Sequence, residues 1–94
     1  MVREHAMTDM TPIAAEAAAR LAFSLMRSAY LDLAQTLLRM EEGPARALLQ
    51  GVEHRIAYRL GYLGEGIPED APQKTAIATA AGRVRAVLRE AQAT

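Results

Sequence analysis

Between Pro12 and Glu42 there are thirty-one residues with no glycine and no proline after the first. If that stretch is one helix, it is about 45 Å long at 1.5 Å per residue. A compact monomer of 94 residues has a radius of gyration near 12 Å and a diameter of about 32 Å. The helix must therefore overhang the body, bend near Arg27-Ser28, or be covered by a second copy of the chain. Ala22, Met26, Ala29, Leu33, Leu37 and Met40 make one apolar stripe along it, but Leu21, Leu25, Leu31 and Leu38 point well away from that stripe. A helix that is apolar on more than one side is covered on more than one side. The surplus leucines thus favour a homodimer, the commonest symmetric assembly.

Punctuation divides the rest. Thr11 reads as an N-cap and Pro12 as the first helical residue. Glu42-Gly43-Pro44 reads as the stop, with Gly43 in the left-handed conformation and Pro44 opening a second helix that runs to about Leu63. Gly64-Glu65-Gly66-Ile67-Pro68 is a loop. Asp70 and Gln73 have the spacing of a capping box for a third helix that ends near Ala91. No segment alternates with period two, so no strand is expected. The expected fold is all-α: a three-segment helical bundle with a long first helix and two antiparallel helices, dimeric. Residues 1–10 read as a flexible leader and residues 11–94 as a single helical domain.

The two shorter helices have clear faces. Ala45, Leu48, Leu49, Val52, Ile56, Leu60 and Leu63 line the second; Ile77, Ala80, Ala81, Val84, Val87, Leu88 and Ala91 line the third. Twenty alanines against a single phenylalanine predict a thin core. Each alanine adds little apolar area but lets backbones approach closely.

Composition removes several function classes. No cysteine is present, which excludes disulfides, thiolate metal sites and thiol nucleophiles. Eleven basic residues balance eleven acidic ones, so no net field draws the chain to nucleic acid or anionic lipid. The uncharged run Leu21–Met26 is far shorter than the about 18 residues of a membrane span. The first residues precede no apolar signal region. A cytoplasmic location is expected. Ten arginines against one lysine suggest GC-rich coding and a bacterial source.

One constellation carries chemistry. On the second helix His54, Tyr58 and Tyr62 follow one another at intervals of four residues and so form a column, with Arg55 and Gly51 on the same side. As a partner- or ligand-binding patch the residues are His54, Arg55, Tyr58 and Tyr62. A packing explanation competes: Ala47, Gly51 and Gly61 would admit the first helix or another chain against this face, and the tyrosines would cap the contact. Glu53-His54-Arg55-Ile56, with Leu60 beyond, is similar over fewer than ten residues to the phosphorylated box of one class of bacterial histidine kinases. Tyr58 stands where that box usually carries asparagine. The resemblance implies a phosphotransfer module using His54.

Other chemistry finds less footing. Around His54 the positions able to complete a helical metal pair are Gln50, Gly51, Ala57 and Tyr58, none a strong ligand, and no metal or cofactor is expected. Ser24 and Ser28 have no base beside them, and no catalytic residue is assigned. Glu41 and Glu42 are expected to oppose the negative end of the first helix, relieved by Arg39 or Arg46. Arg83, Arg85 and Arg89 of the third helix could face DNA. However, the connection from Gly61 to Asp70 is far longer than a helix-turn-helix uses, and it carries Glu65, Glu69 and Asp70. The function expected from these residues is a non-enzymatic protein-interaction or regulatory module. Phosphotransfer through His54 and DNA binding through the arginines are the alternatives.

Overall fold

The computed structural model describes residues 11–93. The leader expected at 1–10 lies outside the described residues, as does Thr94. Three helices make up the fold: α1 (Pro12–Met40), α2 (Glu42–Leu60) and α3 (Pro72–Glu90). Among the described residues there is no strand. Among the described residues no helix is long and apolar enough to cross a membrane.

The start of α1 follows its sequence signal. Thr11 Oγ1 accepts the Ala14 N–H at 3.1 Å, and Pro12 occupies the first turn, where its missing N–H leaves nothing unpaired. The helix then runs 29 residues, about 43 Å, with no break at Arg27-Ser28.

Its end departs from expectation. The hinge is Glu41, with an extended backbone at φ −149° and ψ 99°, and Gly43 lies inside α2. Pro44 explains the shift. A proline in a continuous helix would clash with the carbonyl four residues back, at Met40, and would donate nothing to it. Breaking the chain at Glu41 places Pro44 in the first turn of α2, where no intrahelical donor is required. Glu42 consequently sits at the positive end of α2 instead of the negative end of α1, and it accepts a 2.9 Å bond from Arg46.

The helix α2 stops at Leu60, short of Leu63, and residues 61–71 form a chain of turns. Gly66 (φ +83°) is the only described residue in the left-handed region. Lys74 holds this connection: its Nζ donates to the Gly64 carbonyl at 2.8 Å and lies 3.5 Å from the Glu69 carboxylate. The Asp70–Gln73 capping box does not form. Pro72 forces the preceding Ala71 into extended backbone (φ −72°, ψ 142°), so α3 starts two residues after Asp70 and has no side-chain cap.

The helix α2 returns antiparallel to α1, and α3 is antiparallel to α2. The buried cluster is small: Ala34 and Leu38 of α1, Ala45 and Leu49 of α2, and Ala91 beyond α3, edged by Tyr30, Leu31 and Leu37. Ala81, Val87 and Leu88 are buried on α3. No large side chain is fully enclosed.

Polar side chains tie the three helices at the end of α3. Gln92 Nε2 donates to Glu53 Oε1 at 2.7 Å and to the Leu88 carbonyl at 3.1 Å. Arg46 donates to the Gln92 carbonyl at 2.9 Å, and Arg89 lies 3.7 Å from the other Glu53 oxygen. Across from them one Arg27 nitrogen reaches both oxygens of Glu90, at 2.8 and 2.7 Å.

The faces of α1 are the reverse of the main stripe read from sequence. Tyr30, Leu31, Ala34, Leu37 and Leu38 face the body. Of the expected stripe only Leu37 does; Ala22, Met26, Ala29, Leu33 and Met40 are exposed. Of the leucines outside that stripe, Leu31 and Leu38 turn to the core, while Leu21 and Leu25 stay exposed. The chain is elongated as a result. Its radius of gyration is 17.2 Å, against about 12 Å for a compact chain of this length. Its surface is 7352 Å², where about 5,300 Å² is usual for a compact monomer of this mass. Of the three outcomes open to the long helix, the single chain shows the overhang.

Candidate functional site

The site begins with helical spacing. Ala45, Leu49, Val52, Ile56 and Leu60 point α2 toward its neighbours and are buried or half-buried. His54, Arg55, Tyr58 and Tyr62 lie about a third of a turn or more from the middle of that stripe, and all four are exposed. Tyr62 lies just past the helical end, in the first of the turns, and still reaches back to Tyr58.

The two tyrosines touch. Their ring centroids are 5.0 Å apart at an interplanar angle of 62°, an edge-to-face contact, and Tyr62 Oη donates to Tyr58 Oη at 3.2 Å. That hydrogen bond, with a smaller contribution from partial burial, raises the Tyr62 pKa above its ordinary value. The pair is 68% and 52% exposed, and Leu63 beside it is 55% exposed. Two of the chain's three tyrosines therefore leave apolar ring surface in water.

Within the single chain α1 does not pack on the glycines of this face. A Cβ built on Gly51 would come within 3.3 Å of the Arg55 guanidinium, so here Gly51 makes room for the head of Arg55. Near Gly61 the close atoms are carbonyls of its own turn, those of Tyr58 and Ala57. His54 stands exposed one turn before Tyr58. Among the described residues no hydrogen bond orients its ring, and Glu53 is turned inward to Gln92. The surface thus offers two phenols, an imidazole and a guanidinium around a small apolar centre.

Of the arginines of α3, Arg83 lines the space between α1 and α3. Arg85 and Arg89 lie four residues apart on another side, Arg85 half-buried and Arg89 3.7 Å from the Glu53 carboxylate. Among the described residues no group of three histidines and carboxylates could hold a metal ion.

Two open grooves lie elsewhere. One, of about 370 Å³, surrounds the hinge between Leu38, Arg39, Glu42 and Ala93. The other, of about 510 Å³, separates Glu16, Arg20 and Phe23 of α1 from Thr79, Arg83 and Val84 of α3. Neither includes the tyrosine pair.

On the outward side of α1, Leu25 and Met26 are 62% and 69% exposed, in line with a first helix apolar on more than one side. One feature escaped the sequence: the hydroxyl of Tyr30 is buried with no hydrogen-bond partner among the described residues. Burial, and secondarily the nearby Glu53 carboxylate, raises its pKa above the usual tyrosine value. Nothing in the linear sequence relates those two residues. Neither a protein-family model, nor a curated protein, nor a solved structure matches this chain.

Proposed function

We propose that this chain is a non-enzymatic protein-interaction or regulatory module that works as a homodimer. In this reading α1 forms the subunit contact, and His54, Arg55, Tyr58 and Tyr62 on α2 meet a second protein. The exposed Tyr58–Tyr62 pair carries the reading. Tyrosine and arginine dominate the energetics of protein interfaces because they bury large area while keeping polar ends that can be satisfied. A ring pair held edge-to-face by its own hydrogen bond loses little freedom when a partner covers it.

The double substitution Tyr58→Ala, Tyr62→Ala tests it. Both side chains lie outside the core, so helicity survives, and capture of a partner protein from a lysate of the source cells is abolished. Capture that persists at the original level overturns the reading.

Exposure of His54 favours a second reading, in which the imidazole accepts a phosphoryl group from a kinase and Arg55 lies nearby as a counter-charge. It predicts acid-labile phosphate on His54 when such a kinase is supplied. Intact-mass measurement at neutral pH that finds none removes this reading and leaves the first untouched.

A further inference from the structure

The outward face of α1 has a regular pattern. Positions 15, 19, 22, 26, 29, 33, 36 and 40 are all exposed, and they alternate in steps of four and three. That is a seven-residue repeat, the period at which two helices pack knobs into holes along their length. No seam position is charged. The flanking charges are Asp32 and Arg39 along one side and Glu16 along the other. One register of the repeat (15, 22, 29 and 36) holds only Ala or Thr, and the other (19, 26, 33 and 40) holds Met or Leu at three of its four positions.

We propose that this face is the contact between two copies of the chain, and that the two α1 helices pair antiparallel about a two-fold axis between residues 27 and 28. The inference rests on the homodimer reading above and specifies its geometry. In an antiparallel pair each layer opposes one register of the first helix to the other register of the second. Centred there, Met40 meets Ala15, Leu33 meets Ala22, Met26 meets Ala29, and Ala19 meets Thr36. Each large side chain of the seam faces a small one, the arrangement that fills space evenly at close approach. A parallel pair would instead stack alanine on alanine and methionine on methionine, leaving gaps and crowding in alternate layers.

Three further observations select a second copy as the occupant. The same register that matches large to small also overlaps nearly the whole of Pro12–Met40, because its axis falls close to the middle of the helix. A face that is complementary to itself under a two-fold rotation is what an isologous dimer needs, and an unrelated partner would not require it. The core residues Ala34 and Leu38 lie about a third of a turn or more around α1 from the middle of the seam, and every seam position remains exposed. The large residues of the seam, Met26, Leu33 and Met40, are each more than half exposed, so pairing is what would take them out of water.

The whole chain serves for the test. It has no cysteine, so Ala17→Cys provides a single, exposed labelling site off the seam. Sedimentation equilibrium should give twice the 10.2 kDa of one chain. Spin labels at position 17 should lie on the order of 30–40 Å apart across the antiparallel pair, whereas a parallel pair would hold them within about 20 Å. Leu33 is already exposed in the single chain, so Leu33→Asp should fold normally while weakening the dimer by at least about 100-fold. Leu63→Asp, exposed elsewhere, should leave the mass unchanged. A dimer with the short distance, or one indifferent to Leu33→Asp, overturns this pairing and leaves the homodimer reading in place. A single-chain mass at about 100 µM overturns both.

Discussion

The two halves of α1 belong to one unbroken helix with similar composition, yet they live in different surroundings. From Tyr30 to Met40 the helix has α2 against it: Ala34 and Leu38 are buried, and Tyr30, Leu31 and Leu37 pack at the edge. From Pro12 to Ala22 every residue is exposed, and only an open groove separates this half from α3. The first half of the helix stands on intrinsic propensity, with alanine at six of those eleven positions, and on the Thr11 cap. The second stands on packing. An isolated helix as short as the exposed half is marginal in water, so in a single chain that half is sustained mainly by continuing from the packed C-terminal half.

Substitutions on the two halves should therefore differ sharply, and the Leu33→Asp background removes self-association from the comparison. There, Leu38→Ala should cost about 2–4 kcal/mol in denaturant unfolding, because it empties part of a small core. Leu25→Ala should stay within about 0.5 kcal/mol. Similar losses from both would mean that the exposed half is packed in the single chain.

A smaller effect, of opposite sign, is expected at the junction of the halves. Tyr30→Phe removes a buried hydroxyl that has no partner among the described residues, and it should gain about 1 kcal/mol. It should also change the alkaline limb. The Tyr30 pKa is raised in the folded chain, first by burial and then by Glu53, above the value of about 10 it has when unfolded. The unfolded chain thus loses this proton first. Stability linked to Tyr30 is complete below pH of about 10 and is lost as pH climbs toward the folded value. Stability measured between pH 9 and 11 should fall less steeply in the phenylalanine variant. An unchanged slope would place the titration elsewhere.

The smallest effect belongs to the exposed end. Thr11→Ala removes the acceptor for the Ala14 N–H and should speed amide exchange at Ala14 and Ala15, a local loss of about 1 kcal/mol. The global unfolding midpoint should not move. A midpoint shift as large as that of Leu38→Ala would show that the halves melt together and erase the distinction.

Local signals in the sequence were read correctly where one or two residues decide the outcome. Thr11-Pro12 started a helix, and the α3 stripe from Ile77 to Ala91 lay inward apart from Ala80. The outward position of His54, Arg55, Tyr58 and Tyr62 followed from the apolar stripe on the other side of α2. Errors arose where two rules compete. Gly43-Pro44 satisfies both a helix stop and a helix first turn, and Pro44's demand on Met40 moved the hinge to Glu41. Asp70–Gln73 formed a sound capping pattern that Pro72 overrode. What could not be read at all depends on residues far apart in sequence. Which side of α1 is covered is decided by α2, and the bond from Gln92 to Glu53 spans the bundle.

Lys74 has a consequence for chemical access. It is the chain's only lysine, and its ammonium is already engaged by the Gly64 carbonyl, with Glu69 nearby. An acylating reagent, or an enzyme that modifies lysine side chains, must wait for that bond to open and for the ammonium to lose its proton. The rate at which Lys74 reacts therefore reports how often residues 61–71 come loose, a built-in clock for the one long connection in the fold.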